Sequence, residues 1–271
     1  MSGGPHRRID RWTLLAVGGI VALTLAGPSL APHAATAALD PQRLAWQPPA
    51  GAFPFGTDGF SRDVLSRFLV GARHTLGVAL LAAGVALVLG TAVGLGAALA
   101  GRWRESLLMR CTDALLAMPR LLVLLLVVTG TGALRLDALA LVLGATGWMT
   151  TARLVRQETR RLLATDALRG AVVLGVPPTR LVTRHLLPAL APTLAVAATG
   201  AFASAVPLES GLSYLGLGVP TPLPSWGNII AEAEGDPLRR WWVVVFPTAA
   251  IIGTVLLANR VAERVGREDD A

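Results

Sequence analysis

The run Thr75–Ala100, TLGVALLAAGVALVLGTAVGLGAALA, carries no charge over 26 residues and is bounded by Arg73 and Arg102. A bilayer core of about 30 Å is crossed by about 20 apolar residues in a helix, so this run reads as a membrane span. The whole chain agrees with that reading. Of its 271 residues 53% are hydrophobic and 15% charged, whereas soluble domains carry about 25% charged residues. There is too little polar side chain to cover such a molecule in water.

Working outward, five more apolar runs are expected to span: Trp12–Leu30, Leu107–Thr129, Leu136–Ala152, Leu186–Leu208 and Trp241–Ala258. The first follows His6, Arg7, Arg8 and Arg11. It is too long for a signal-peptide core of 7 to 15 residues, and Gly27-Pro28-Ser29-Leu30 makes a poor cleavage site. The expected fold is therefore all-α and integral to the membrane, with six helices. Residues 1–30 form a tail and first span, 31–74 a Pro-rich external segment, 75–264 a five-helix core and 265–271 a tail. Arginine assigns the sides: alternate connecting segments hold 16 Arg on the side of both termini and 7 on the other. Both ends are thus expected in the cytoplasm. The net charge of +7 then reflects topology and lipid headgroup contact, with no nucleic-acid partner expected.

Several chemistries are excluded. All 24 basic residues are Arg, so neither a Walker A lysine nor a Schiff-base lysine exists. A single cysteine, Cys111, precludes an internal disulfide or a thiolate cluster. HExxH, GxSxG and GxGxxG are missing, and His6, His33, His74 and His185 fall on separate segments. No catalytic residue, metal site or bound cofactor is expected in this chain.

Gly90 and Gly94 set small residues four apart, a pattern that lets helices approach closely in lipid; packing within the chain is favoured over contact with a second subunit. The external segment reads as a strap ending in a short helix after Asp58, on which Asp63 and Arg67, at i,i+4, form a solvated pair. Gly and Pro interrupt Glu209–Arg240, which should fold back as a cap anchored by Trp226. Glu209 lies after the fifth span, either near the outer mouth or as a loop anchor. Arg120, after Pro119 inside the third span, needs a partner, a path to the headgroups or a wet cavity. Asp113 on the same face is too distant for direct contact, so snorkelling and a place lining the pathway both stand.

The cytoplasmic stretch Arg153–His185 holds seven Arg. Thr165 and Asp166 are positioned to cap a short helix with an apolar face of Ala167, Leu168, Ala171, Val172 and Leu174. Gly175 stops it, Pro177 and Pro178 bar continuation, and Thr179 is placed to cap a second helix running toward Pro188. This is a stiff knob whose apolar face asks for a partner.

From about Phe53 to Arg264 the sequence resembles the permease subunits of binding-protein-dependent ABC importers, specifically the C-type side of the dipeptide, oligopeptide and nickel group. The resemblance is carried by Phe55-Gly56-Thr57-Asp58-Gly-Phe-Ser-Arg62-Asp63-Val-Leu-Ser-Arg67, by Gly147-Trp148 and Ala152-Arg-Leu-Val-Arg156, by Leu174-Gly175 spaced to Arg184-His-Leu-Leu-Pro188, by Glu209-Ser-Gly-Leu-Ser-Tyr-Leu-Gly-Leu-Gly218 and by Pro224-Ser-Trp-Gly227. It implies a bacterial inner-membrane protein forming half of a path for short peptides, or alternatively nickel. A homologous permease, two ATPase subunits that bind ATP and Mg, and an extracytoplasmic binding protein are the implied partners. It also implies that the loop 157–185 holds the ATPase-coupling helix, in which Arg169, Gly170 and Ala171 stand where the family has Glu-Ala-Ala. Arg169 reverses that charge, and Gly170 weakens the helix by about 1 kcal/mol against Ala. A rival of another class, a secondary transporter or channel without nucleotide, should show internal repeats or relay charges in several spans; neither is found.

Overall fold

The computed structural model describes residues 11–132 and 134–268, and every regular element among them is helical. In chain order these are α1 (Arg11–Leu30), α2 (Pro41–Leu44), α3 (Val64–Leu99), α4 (Arg102–Ala117), α5 (Arg120–Thr131), α6 (Leu136–Ala145), α7 (Trp148–Leu163), α8 (Asp166–Val173), α9 (Pro178–Leu181), α10 (Leu187–Ala189), α11 (Ala191–Tyr214), α12 (Trp226–Ala231) and α13 (Trp241–Glu268). A π-helical turn, Val182–Leu186, joins α9 to α10. The N-terminal tail, apart from Arg11, and residues 269–271 of the C-terminal tail lie outside the described residues.

Helix α3 is the axis of the molecule. Asp63 caps it, accepting from Leu65 N (3.3 Å) and Ser66 N (3.1 Å), and nothing in the following 36 residues is a proline. The short helix expected after Asp58 is therefore the first turns of this one long helix. At 1.5 Å per residue it reaches about 54 Å, well beyond a bilayer core of about 30 Å. Three glycines let other helices press against its neighbours' backbones. A Cβ on Gly90 would stand 2.7 Å from Trp148 O, and one on Gly94 2.6 Å from Ala152 O, so the small-residue pair serves the α3–α7 contact inside this chain. A Cβ on Gly144 would meet Ala82 O at 2.7 Å, which seats α6 on α3.

Two expected spans are broken. Pro119 lacks an N–H and disfavours helix at Met118, whose ψ is 133°. The third span is consequently a corner, with α4 and α5 at 81°. Arg120 is the first residue of α5, at the corner of that bent span and not within a continuous helix. Helices α6 and α7 meet at 46° across Thr146 and Gly147, and together they carry the fourth span on to Leu163. The fifth span begins later than expected, after the π turn, and continues to Tyr214, so it takes Glu209 into α11.

Helices α3, α11 and α13 are each long and apolar enough to cross a membrane, and counting each bent pair as one span gives five. Helix α1 has 20 residues. Leu76, Ala79 and Ala82 of α3, Leu139 and Leu143 of α6, Val206 and Leu212 of α11, and Trp226 of α12 form the main buried core. Outside it, Leu80, Leu81, Val88, Leu126, Leu141, Ile252 and Leu256 are exposed, an apolar surface suited to lipid.

Candidate functional site

Residues with chemistry gather at three levels along α3. At the level of its C-terminal end, Leu95 belongs to a buried cluster with Val155, Leu168, Leu181, Leu186 and Leu190. On that cluster sits the knob. Leu168 of α8 is buried, and Ala171 is half-buried against the same cluster, so the apolar face expected to look outward is divided. Ala167 is exposed, and so is the tip, where Val173 is 86% and Leu174 84% exposed. Gly175 takes a φ of +76°, and Val176 N–H reaches back to Ala171 O (3.1 Å), a glycine helix stop. Arg169 and Gly170 are exposed beside the tip, and Pro188 is exposed within α10. Two expected caps differ. The Thr165 hydroxyl donates to Leu162 O (2.7 Å) in the preceding turn and leaves α8 uncapped by it. The second helix starts at Pro178, before Thr179, because a proline fits the first helical position. Nearby, Glu105 of α4 is buried and accepts from Arg156 (2.7 Å) and Arg160 of α7, fixing the two helices together.

At the other end the signature segment is a folded polar core. Thr57, Asp58 and Asp63 are buried, as is Arg67. Asp58 accepts from Phe60 N (2.8 Å), Arg62 N (2.9 Å) and Arg62 Nε (2.7 Å). Arg62 and Arg67 both donate to Oε1 of Glu232, at 2.8 and 2.7 Å. The expected solvated pair of Asp63 and Arg67 is thus overturned: Asp63 turns back to cap α3, while Arg67 turns toward Asp58 and Glu232. Thr57 accepts from Gln47 N (2.9 Å) and donates to Leu44 O, and Trp242 Nε1 donates to Thr57 O (3.1 Å). Gly56, at φ +71°, lies against Gln47 O and the Trp242 ring. These residues bind the strap to α3, α13 and the segment after α12; Arg67 Nε and Nη1 and Glu232 Oε2 are buried without a hydrogen bond, Nη1 standing 3.4 Å from Asp58 Oδ2.

Burial pushes the Glu232 carboxyl up, to about 7, with Asp58 adding to the rise and Arg67 and Arg62 opposing it. An acid raised in the folded state favours folding where it is protonated. Its stabilising effect is present below its ordinary 4.5 and is lost as pH rises through 7. The unfolding midpoint in detergent should therefore decline over that window in the parent chain and decline less in Glu232→Gln; parallel profiles would remove Glu232 as the source.

Glu209 is wholly buried and accepts from Ser213 Oγ (2.6 Å), whose oxygen in turn accepts from Val219 N (2.9 Å). It ties the loop after α11 and does not open on a mouth. Trp226 is likewise buried, donating from Nε1 to Phe68 O (3.2 Å) and from N to Thr75 Oγ1 (backbone N–H, 3.1 Å). At the middle level, Arg120 Nη2 donates to Leu143 O (2.7 Å), and Nε stands 3.5 Å from Thr146 Oγ1. Asp113, expected to be too distant for direct contact with Arg120, is paired with Arg153. Among the described residues no three His, Cys, Asp or Glu side chains group as a metal site.

The architecture is that of a membrane protein with a rigid polar cap at one end and a knob at the other. Over residues 68–268 the sequence matches the binding-protein-dependent transport system inner membrane component family. The chain belongs to that family. It is a multi-pass permease of an ABC importer. A protein of Brucella suis biovar 1 named for a peptide transport system permease is 36% identical over 221 residues, 82% of this chain and 74% of its own. The dipeptide transport system permease protein DppC of Alkalihalophilus pseudofirmus is 34% identical over 218 residues, 80% of this chain and 71% of its own.

Two structural partners of the permease escaped the sequence. Glu232 lies 165 residues from Arg67, and nothing local to either marks the pairing. Glu105, the buried acid that holds Arg156 and Arg160, looks in sequence like one charge among several at a helix start.

Proposed function

We propose that this permease forms one half of the translocation path of an ATP-driven importer of short peptides. The supporting observation is the knob: two large apolar side chains, Val173 and Leu174, stand almost fully exposed at the end of a helix that is anchored through Leu168 and Ala171 and sharply stopped at Gly175. Such a tip suits a groove on a second protein. The names of the Brucella suis and Alkalihalophilus pseudofirmus relatives support peptides as the cargo class. A homologous permease supplies the other half, two ATPase subunits bind ATP and Mg beneath, and a binding protein delivers cargo; this chain hydrolyses nothing and carries no cofactor of its own. ATP closes the ATPase pair, the knob moves with its groove, and the spans rock between two openings. The polar cap keeps the strap and α12 moving as one with α3.

In this reading α1 is a sixth span and both termini are cytoplasmic, in a bacterial inner membrane. Single cysteines placed in a Cys111→Ser background test the orientation. A membrane-impermeant thiol reagent added to intact cells should label position 43 in the strap and leave position 169 unlabelled until the membrane is opened. Labelling of position 169 from outside sinks the topology. The subunit reading is tested by purifying the tagged chain from its native membrane: ATPase polypeptides should co-purify, and the reconstituted complex should accumulate di- or tripeptides only with ATP. A chain that purifies alone and transports without nucleotide belongs to the rival class of secondary transporters.

A further inference from the structure

Arg120 lies level with the middle of the uncharged run of α3 and enters no ion pair among the described residues. Its depth follows from the packing on α3: Gly144 faces Ala82 and Val85, while Thr151 faces Gly90. Gly147, whose added Cβ would fall 2.5 Å from Arg120 Nη2, therefore lies level with the centre of the uncharged run Thr75–Ala100. Helix α6 gives the same depth from its own end, since ten residues at 1.5 Å each reach about 15 Å, half of a core of about 30 Å. Both broken spans turn at this level, one at Pro119 and the other at Thr146–Gly147.

Between the two corners is a cavity of about 140 Å³, lined by Arg120 with Leu115, Met118, Val123, Trp148 and Thr150 among others, and no acidic residue lines it. Arg120 Nε and Nη2 are directed to Thr146 and Leu143 O, whereas Nη1 has no hydrogen-bond partner among the described residues. Arg120 enters no ion pair among the described residues, and Asp113 is held by Arg153. A guanidinium in apolar surroundings at mid-membrane is costly unless it meets an anion or water. The free edge of the guanidinium is planar and matches a carboxylate, and the cavity has room for a carboxylate and its nearest carbon atoms.

We propose that this cavity is a transit site for the carboxylate of the cargo, with Arg120 as its counter-ion. The inference rests on the peptide-permease reading and gives it a residue: the C-terminal carboxylate of a short peptide pairs with Arg120 as the path changes its opening, while Leu115, Met118 and Val123 meet its apolar side chains. Broken helices meeting at the midplane are where transport proteins can place irregular backbone beside a charged solute without exposing it to lipid. The largely apolar lining offers a carboxylate little besides the charge of Arg120, which suits a site that must also release.

The test uses the assembled complex in proteoliposomes, carrying Thr150→Cys in a Cys111→Ser background. Thiol modification is timed with an anionic and a cationic methanethiosulfonate of similar size. With Arg120 the anionic reagent is expected to be favoured, and Arg120→Gln should lower the anionic-to-cationic rate ratio about tenfold, the scale of focusing by a single-sign cleft. Arg120→Lys should retain most of the ratio. Glutamine ends near the place of Nε and loses the tie to Leu143 O together with the charge, so the charge role is separated from a structural tie by comparing protection by a peptide with protection by its amide. Millimolar Ala-Ala should slow modification in the Arg120 and Lys complexes, and Ala-Ala amide should not. An unchanged ratio in Arg120→Gln, or equal protection by the peptide and its amide, overturns the proposal. Uptake of Ala-Ala by the otherwise unchanged complex is scored separately. If the complex takes up no peptide, the cargo reading fails on that result, while the reagent ratio still reports the anion site.

Discussion

Gly227→Ala is expected to unseat α12 and to be among the most damaging single-methyl additions to this protein. Gly227 is the second residue of α12 and lies directly on the backbone of α11: an added Cβ would overlap the Ser210 carbonyl oxygen and stand 2.7 Å from its carbon and 2.8 Å from its Cα. Those atoms belong to a continuous helix and have no rotamer with which to retreat. Helix α12 cannot move aside cheaply either. Ser225 and Asn228 form a capping box at its start, Asn228 Nδ2 donates to Leu223 O (2.8 Å), and Trp226 is pinned from both its backbone and its indole N–H. The methyl therefore forces Trp226 out of a core in which it stacks on Phe68 at 5.7 Å between ring centroids. Losing such a buried aromatic costs about 3 to 5 kcal/mol. Glu232, one residue past α12, would follow and leave buried Arg67 with Asp58 alone, at 3.4 Å. The measurement is the unfolding midpoint and the assembled yield in detergent, with Gly200→Ala as the control. Gly200 lies in α11 with nothing within 4 Å of an added Cβ, so alanine there should be neutral or slightly stabilising through helix propensity. Equal midpoints for the two variants would show that α12 is not held against α11 as described.

How much of this could be read from the sequence divides along the range of the interactions. The helices were legible because an uncharged run of membrane length has few alternatives: Thr75–Ala100 lies almost entirely within α3, and Trp241–Ala258 within α13. The Gly90 and Gly94 spacing was legible for the same reason, since only small residues tolerate a backbone at that distance. The knob's stop at Gly175 is also local, a glycine with two prolines one residue beyond it. The corners were not legible. Proline is tolerated inside membrane helices, and whether Pro119 kinks α4 into α5 gently or turns it by 81° depends on packing that only the tertiary structure supplies, including the reach of Arg120 to Leu143 O. The polar cap failed for a related reason. At i,i+4 Asp63 and Arg67 look like a surface pair, yet a buried Arg is satisfied by whichever acids the fold delivers, and those are Asp58 and the distant Glu232. The knob face shows a mixture. Its periodicity correctly marked apolar positions, but periodicity does not say that Leu168 faces its own cluster while Leu174 faces outward.

Leu174→Asp and Gly175→Val are expected to abolish transport while leaving the chain inserted and folded. Leu174 is 84% exposed and takes no part in the cluster of Leu168, Leu181 and Leu186, so an aspartate there disturbs nothing inside the protein. Seated in an apolar groove it would strand an unpaired carboxylate, a loss of several kcal/mol that a small docking tip cannot absorb. Gly175 acts differently. Its φ of +76° is a region a β-branched residue avoids, at a cost of about 1 to 2 kcal/mol, and the chain escapes by letting α8 run on or fray. Either outcome displaces Val173 and Leu174 from the end of the knob. Both variants should therefore show parental insertion and near-parental unfolding, with transport and transport-linked ATP hydrolysis reduced to background. Undiminished transport in both would make the loop a connector only. Arg169→Glu separates two roles for the charge beside the tip. Arg169 is exposed and has no ion-pair partner among the described residues, so the substitution leaves folding intact. If the native groove is acidic there, the added carboxylate weakens assembly and binding becomes more salt-sensitive; if position 169 faces water, the variant assembles like the parent, and the coupling contact reduces to the two apolar side chains and the glycine that positions them.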